Sequence, residues 1–153
     1  MPVLVVGADT ELGHAIVPAL QPASGEIRLF ASDPEAVAGY RDFAKVAVGD
    51  VSDGTHVGGS AIGAFCAIVI TAAARDERER HFVHSTDELF QQWADGLADA
   101  GISRVIVVGN RDDLPDRVHL DAIDAEYWLI DTTGLTMAEV IAAVVTAESA
   151  ARL

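Results

Sequence analysis

Two glycines in Val3-Leu4-Val5-Val6-Gly7-Ala8-Asp9-Thr10-Glu11-Leu12-Gly13 frame a short polar loop whose spacing suits a phosphate. The four apolar residues before it, three of them β-branched, predict a strand buried on both faces, as in a parallel sheet. Gly7 allows a tight turn, and Gly13 lets the following helix pack closely on the strand. In that layout a pyrophosphate rests at the helix N-terminus. A third glycine would normally stand midway, and Thr10 occupies its place. Asp9 and Glu11 also put carboxylates where the pyrophosphate would approach, and like charges that close cost on the order of 1 kcal/mol or more. The side chain of Asp9 or Thr10 can instead cap the helix and satisfy amides that would otherwise hold phosphate. Two readings therefore stand side by side: a phosphate loop using the amides of Leu12 and Gly13, or a capped loop that needs no ligand.

Other reactive side chains are sparse. Arg75, Arg78, Arg80 and Arg111 follow two predicted central strands, where open α/β sheets bind ligands, with His81 and His84 just beyond. Guanidinium groups there would suit a small phosphate or carboxylate. The alternating signs of Arg75-Asp76-Glu77-Arg78-Glu79-Arg80 equally describe a self-neutralising solvated segment, which we favour. The histidines lack the spacing of a metal site. No Gly-x-Ser-x-Gly elbow is present for a serine nucleophile. Cys66, the only cysteine, lies in the apolar run Phe65–Ile70 and reads as a buried structural thiol.

The elements that must position these residues alternate between strand and helix. Strands are predicted at Pro2–Val6, Ile27–Ala31, Ala44–Val48, Phe65–Thr71 and Arg104–Val108, with helices at Glu11–Leu20 and about His84–Ala100. The second of these helices carries Leu89, Phe90, Trp93, Leu97 and Ala98 on one apolar face. Asp33-Pro34 opens a short helix, and the glycine-rich segment Asp53–Gly63 reads as an irregular one. Tyr127–Asp131 is expected to be a sixth strand, followed by a helix to about Ser149 that starts with a capping box of Thr136 and Glu139. The rival assignment, a helix over Leu120–Thr133 and a strand over Thr136–Ile141, would bury Glu139 inside a strand and is disfavoured. A strand–Asp-Thr-Thr-Gly-Leu–helix ending also occurs in small nucleotide kinases. Here, however, five residues separate Gly7 from Gly13, and His14-Ala15 stand where a phosphate-binding loop needs Lys-Ser/Thr. The rhythm implies a doubly wound parallel sheet of about six strands, three layers deep, in a single domain spanning residues 1–153.

Composition sets outer limits. Half of the 153 residues are apolar and the mean hydropathy is +0.28, enough for a substantial core. No apolar run approaches the roughly 20 residues of a membrane span, and no signal-peptide pattern is seen. With one cysteine, the expected setting is a reducing cytoplasm. The net charge of −14 opposes nucleic acid or an anionic membrane as partner. Phe90, Trp93, Tyr127 and Trp128 look like more aromatic surface than one core requires, which would suit a homo-oligomer.

The segments VLVVGADTELGHAIVPAL, RLFASDPEA, VAVGDVSD, AIVITAAA and ISRVIVVGN together resemble the atypical short-chain dehydrogenase/reductases, in their NmrA-like and NAD(P)H-reductase branch, over about residues 1–110. The resemblance implies a Rossmann-like NAD(P)-binding domain. Its matched positions are Gly7, Ala8, Leu12 and Gly13 in the first loop, Asp50 after strand 3, and Ala72-Ala73 after strand 4. In the family, the residue at Asp50 lies beside the adenine, and the small residues after strand 4 leave room for the cofactor. The expected cofactor contacts are therefore Gly7, Thr10, Glu11, Leu12, Gly13, Ser32, Asp33, Asp50, Val51, Ala72 and Ala73. Ser32 stands where the family often has an Arg for the 2′-phosphate of NADP, and Asp33 lies one position past an NAD-type acid, so NAD is favoured over NADP. Ser32 and Asp33 acting only as caps for the helix at Pro34 is the competing account.

The chain departs from the family where chemistry is done. Gly109-Asn110 replace the serine that often follows strand 5, and neither Tyr40 nor Tyr127 has a lysine four residues on. Lys45, the only lysine, lies on strand 3. About 43 residues follow Asn110, enough to finish the sheet and little else. Two functions are carried forward. One is a non-catalytic Rossmann-like binding or regulatory module, which either binds a dinucleotide, a related nucleotide or a small anionic ligand, or has lost the cofactor and acts as an interaction or regulatory protein. The other is a small NAD(P)H-dependent oxidoreductase that positions hydride donor and acceptor without a Tyr-Lys pair.

Overall fold

The computed structural model describes residues 2–20, 25–75, 83, 85–115 and 123–151. Six parallel strands, β1 (Val3–Val6), β2 (Ile27–Ala31), β3 (Ala44–Val48), β4 (Cys66–Ile70), β5 (Arg104–Gly109) and β6 (Glu126–Asp131), form one sheet in the order β3-β2-β1-β4-β5-β6. Val3 of β1 is in register with Ile27 of β2 on one side and with Cys66 of β4 on the other. The chain winds outward from β1 to β3, then returns to β4 on the opposite flank. This creates a topological switch point between the C-terminal ends of β1 and β4, where doubly wound sheets open a crevice.

Both faces of the central strands are covered, so β1, β4 and β5 are buried throughout and read as apolar runs rather than alternations. Val3, Val5, Leu29, Ile68 and Ile106 face α1 (Glu11–Leu20) and α4 (Met137–Ser149), meeting Ile16, Leu20, Val140 and Val144. Leu4, Val6, Phe30, Val69 and Val107 face α2 (Gly54–Ala61) and α3 (Thr86–Asp99), meeting Val57, Leu89, Phe90, Trp93 and Leu97. The three-layer α/β architecture expected from the strand–helix rhythm is therefore the one observed.

Several local expectations are corrected. Helix α2 is regular, with Asp53 capping it by accepting from His56 N at 3.2 Å. Its glycines serve packing: a Cβ on Gly58 would lie 2.5 Å from Gly96 O of α3, and Gly54 is equally hemmed in by Gln92. No α-helix opens at Asp33-Pro34. The Asp33 carboxylate accepts from Glu35 N at 3.0 Å, a local turn that competes with helix, and only a 3-10 turn at Ala38–Tyr40 follows. β4 stops at Ile70 because Thr71–Arg75 form a 3-10 turn. Ala98 is exposed rather than on the buried face of α3, and Ser85 caps that helix by accepting from Glu88 N at 3.1 Å. The rival ending is excluded, since 126–131 pair with β5 from Arg104↔Glu126 to Gly109↔Asp131. The capping box is complete, with Glu139 N donating to Thr136 Oγ1 at 3.2 Å and Thr136 N to Glu139 Oε1 at 3.0 Å.

Arg104 holds the last helix in place from the N-terminal end of β5. Its guanidinium, fully buried, donates to the carbonyls of Ala147, Ala150 and Ala151 at 3.1, 2.9 and 3.0 Å and to Glu126 Oε2 at 2.9 Å. It also lies 5.1 Å from the centre of the Phe65 ring. A cation thereby satisfies carbonyls that a helix C-terminus leaves without partners.

Candidate functional site

The candidate site is built from loops at the C-terminal ends of β1 to β4. Gly7 ends β1 at φ +90°, a conformation that favours glycine, and a Cβ there would lie 2.9 Å from Ala73 Cβ. The loops after β1 and β4 therefore touch across the switch point. Gly7 N and Ala8 N both donate to Phe30 O, at 3.0 and 3.3 Å, tying the first loop to the end of β2. At Gly13 a Cβ would meet Gly7 O and Ala8 O at 2.5 Å, so only glycine lets α1 sit this close to β1.

Thr10 closes the loop. Its hydroxyl donates to Gly7 O at 2.6 Å and accepts from Gly13 N at 3.0 Å. Of the two residues expected to cap α1, Thr10 does so and Asp9 does not. Asp9 instead reaches across to β2, where its Oδ2 accepts from Ser32 N and from Asp33 N, each at 3.0 Å. The first α-helical bond runs from His14 N to Thr10 O. With Gly13 N taken by Thr10, the amides of Glu11 and Leu12 are the ones the helix start leaves for another acceptor. Glu11 itself is exposed, and Leu12 packs partly into the core.

The remaining expected contacts are spread along the same edge. Gly49 N donates to Ala31 O at 3.0 Å, which brings the loop after β3 beside the end of β2. There the Asp50 carboxylate accepts from the Ser52 amide at 2.8 Å and hydroxyl at 2.7 Å, and Trp93 Nε1 of α3 donates to Val51 O at 2.7 Å. Ala72 is exposed at the crevice, while Ala73 is buried against Gly7. Thr71 Oγ1, just past the C-terminal end of β4, is buried without a hydrogen-bond partner among the described residues. The structure thus joins Gly7 to Ala73 and the Asp9 loop to Ser32-Asp33, whereas Asp50 and Val51 are bound to residues of their own side. The Asp9 staple and the orphan Thr71 hydroxyl have no signature in local spacing.

The other candidates fare differently. Arg111 is engaged by Asp131, Nε to Oδ2 at 3.3 Å, and this guanidinium, after the Thr133 hydroxyl and amide, helps hold the Asp131 carboxyl below its usual range. Arg78, Arg80, His81 and His84 lie outside the described residues, and Arg75 ends the 3-10 turn after β4. Among the described residues no group of three or more His, Cys, Asp or Glu could hold a metal ion. Burial, and secondarily the Glu148 carboxylate, pushes the Cys66 thiol up to about 12, consistent with a structural role. A groove of about 290 Å³ opens between α2 and α3, but its lining shares no residue with the loops after β1, β2 and β4.

No family model matches the chain, and no curated protein matches it in sequence. Solved structures share its fold. The Escherichia coli NADPH-dependent quinone oxidoreductase, complexed with NADPH, superposes with a TM-score of 0.58 at 14% identity, over 71% of this chain and 36% of that one. The Citrobacter sp. triphenylmethane reductase complexed with NADP(H) gives 0.59 at 18% identity, over 72% of this chain and 38% of that one. The anaerobillin reductase of Escherichia coli O157:H7 gives 0.61 at 18% identity, over 86% of this chain and 72% of that one. The chain thus spans little more than a third of the first two. What the chain shares with these proteins is the fold, a six-stranded parallel α/β sheet of the Rossmann type.

Proposed function

We propose that this chain is a Rossmann-type module that binds a nicotinamide dinucleotide, NAD in preference to NADP, and that it works through binding rather than catalysis. The observation that carries this reading is the shape of the Gly7–Gly13 loop. A glycine turn, a closely packed helix and two first-turn amides are all in place, held by the chain's own bonds. In this reading Glu11 and Leu12 present amides to the pyrophosphate, Ser32 and Asp33 flank the ribose, and Asp50-Val51 border the adenine. Ala72 and Ala73 leave room beyond. A small anion such as phosphate would use the same two amides.

The residues that would supply acid–base chemistry are committed elsewhere. Tyr40 lies in the β2–β3 connection with its hydroxyl 2.7 Å from His14 Nδ1, and Tyr127 sits on the N-terminal half of β6. Lys45 pairs with Glu26 at 3.1 Å. A bound nicotinamide would supply a hydride, and the described residues supply no Tyr-Lys pair to match it.

A second reading, a small oxidoreductase that places the hydride donor beside a flavin- or quinone-like acceptor, is favoured by one finding. A reductase is matched over 72% of its own length by this chain, so a protein only modestly longer can carry such a role. Isothermal titration with NADH decides the binding claim: micromolar affinity is expected, and no binding by the natural protein or by Asp9→Gly/Thr10→Gly would overturn it. Steady consumption of NADH in the presence of added quinone would move the conclusion to the second reading.

A further inference from the structure

The loop after β1 carries a feature that bears on which nucleotide this crevice accepts. Asp9 Oδ2 accepts from two successive backbone amides, Ser32 N and Asp33 N, at 3.0 Å each. Converging amides of this kind form a concavity suited to an anion. They stand just past the end of β2, where dinucleotide-binding folds read the 2′ position of the adenosine ribose. In this chain the anion in that concavity is the protein's own. Its placement is fixed, because Gly7 N and Ala8 N bind Phe30 O and hold the first loop against β2. The side chains that flank the two amides are a serine and a second acid, Asp33, with Glu35 close behind.

We infer that Asp9 is a specificity-determining residue, a resident carboxylate that fills the phosphate position at the end of β2 and so rejects nucleotides esterified at the 2′-hydroxyl. A free 2′-hydroxyl, by contrast, can donate to Asp9 Oδ1, which the described residues leave uncommitted. The ligand class is therefore an adenine dinucleotide with an unmodified ribose. The discriminating acid comes from the first loop rather than from β2 itself, which is why Asp33 falls one position out of place. This inference rests on the dinucleotide-binding reading for its ligand, though not for the anion it assigns.

Titrations of NADH and NADPH against the natural protein, Asp9→Asn and Asp9→Ser test it. The natural protein is expected to favour NADH by at least about tenfold, and both variants to shrink that ratio several-fold, chiefly by tightening NADPH. Equal affinity in the natural protein, or an unchanged ratio in both folded variants, would overturn the inference. A second arm separates it from the binding claim. Amide NMR resonances of Ser32 and Asp33 are followed while inorganic phosphate is added to the natural protein and to Asp9→Gly. Shifts in the variant alone support the resident anion even if neither dinucleotide binds. The absence of shifts in both refutes it.

Discussion

A threonine in a glycine's place changes what holds the first loop together. A central glycine would leave the loop to be closed by its ligand. Thr10 closes it internally, through bonds to Gly7 O and Gly13 N. Thr10→Ala removes both and is expected to cost about 1 kcal/mol of stability, while Thr10→Ser, which keeps the hydroxyl, stays within about 0.5 kcal/mol. Urea denaturation monitored by circular dichroism distinguishes the two; equal losses in both would mean that the methyl group, not the hydroxyl, matters. At this scale Gly7 and Gly13 were legible because the turn and the close helix approach leave no other residue type. That either Asp9 or Thr10 caps the helix was also legible. Which one does so was not, because Asp9's alternative partners lie 23 and 24 residues away and depend on the β1–β2 register.

The elements show where periodicity is informative and where it misleads. Strands β1, β4 and β5 announce themselves as apolar runs, and α4 through a capping box that the structure reproduces bond for bond. Helix α2 is obscured because glycine ranks near the bottom of helix propensity, whereas here Gly54 and Gly58 are required by the closeness of α3. Arg104 reads in sequence as the polar first residue of a strand. Its task, closing the C-terminus of α4 some 40 residues later, is invisible until β5 and α4 are packed together. Arg104→Met keeps the bulk and removes the charged donors, leaving the helix carbonyls and Glu126 without their cation. The expected loss is about 3 kcal/mol. Hydrogen exchange should localise it, with amides near the end of α4 exchanging faster while those of β1 keep their protection relative to global opening. Uniform acceleration across the sheet would show that Arg104 does not act on α4 in particular.

At the scale of the whole molecule, the doubly wound order followed from the strand–helix rhythm, because parallel strands need crossovers and right-handed ones leave few arrangements. The four aromatic residues Phe90, Trp93, Tyr127 and Trp128 divide between the core and the edge strand β6, where Tyr127 and Trp128 stay half-buried. Phe90 and Trp93 are in the core, Tyr127 and Trp128 pack against it, and Trp128 Nε1 donates to Glu126. Among the described residues no helix is long and apolar enough to cross a membrane. What the fold must tolerate is its charge, −14 with a pI near 4.4. Two effects of pH then oppose each other. Acidification from neutrality discharges carboxylates that repel one another, which stabilises the compact state. Certain carboxyls, however, are held below their usual range by folded partners: Glu26 by Lys45 and Arg28, Glu126 by Arg104 and Trp128, and Glu139 by Thr136. A depressed folded pKa means stability that is fully present above the ordinary carboxylate range and lost as pH falls through the folded value. Relief of repulsion therefore comes first and loss of the paired carboxylates last. The urea midpoint at low salt should hold or rise from pH 8 to about 5 and fall below about 4. Adding 0.5 M salt, at which the Debye length drops to about 4 Å, should lift the neutral limb more than the acid one. Glu126→Gln, which has no carboxylate to protonate, should flatten the acid limb. A midpoint that climbs steadily from pH 5 to 9 at low salt would mean that the carboxylates are stabilised by their surroundings more than they repel one another.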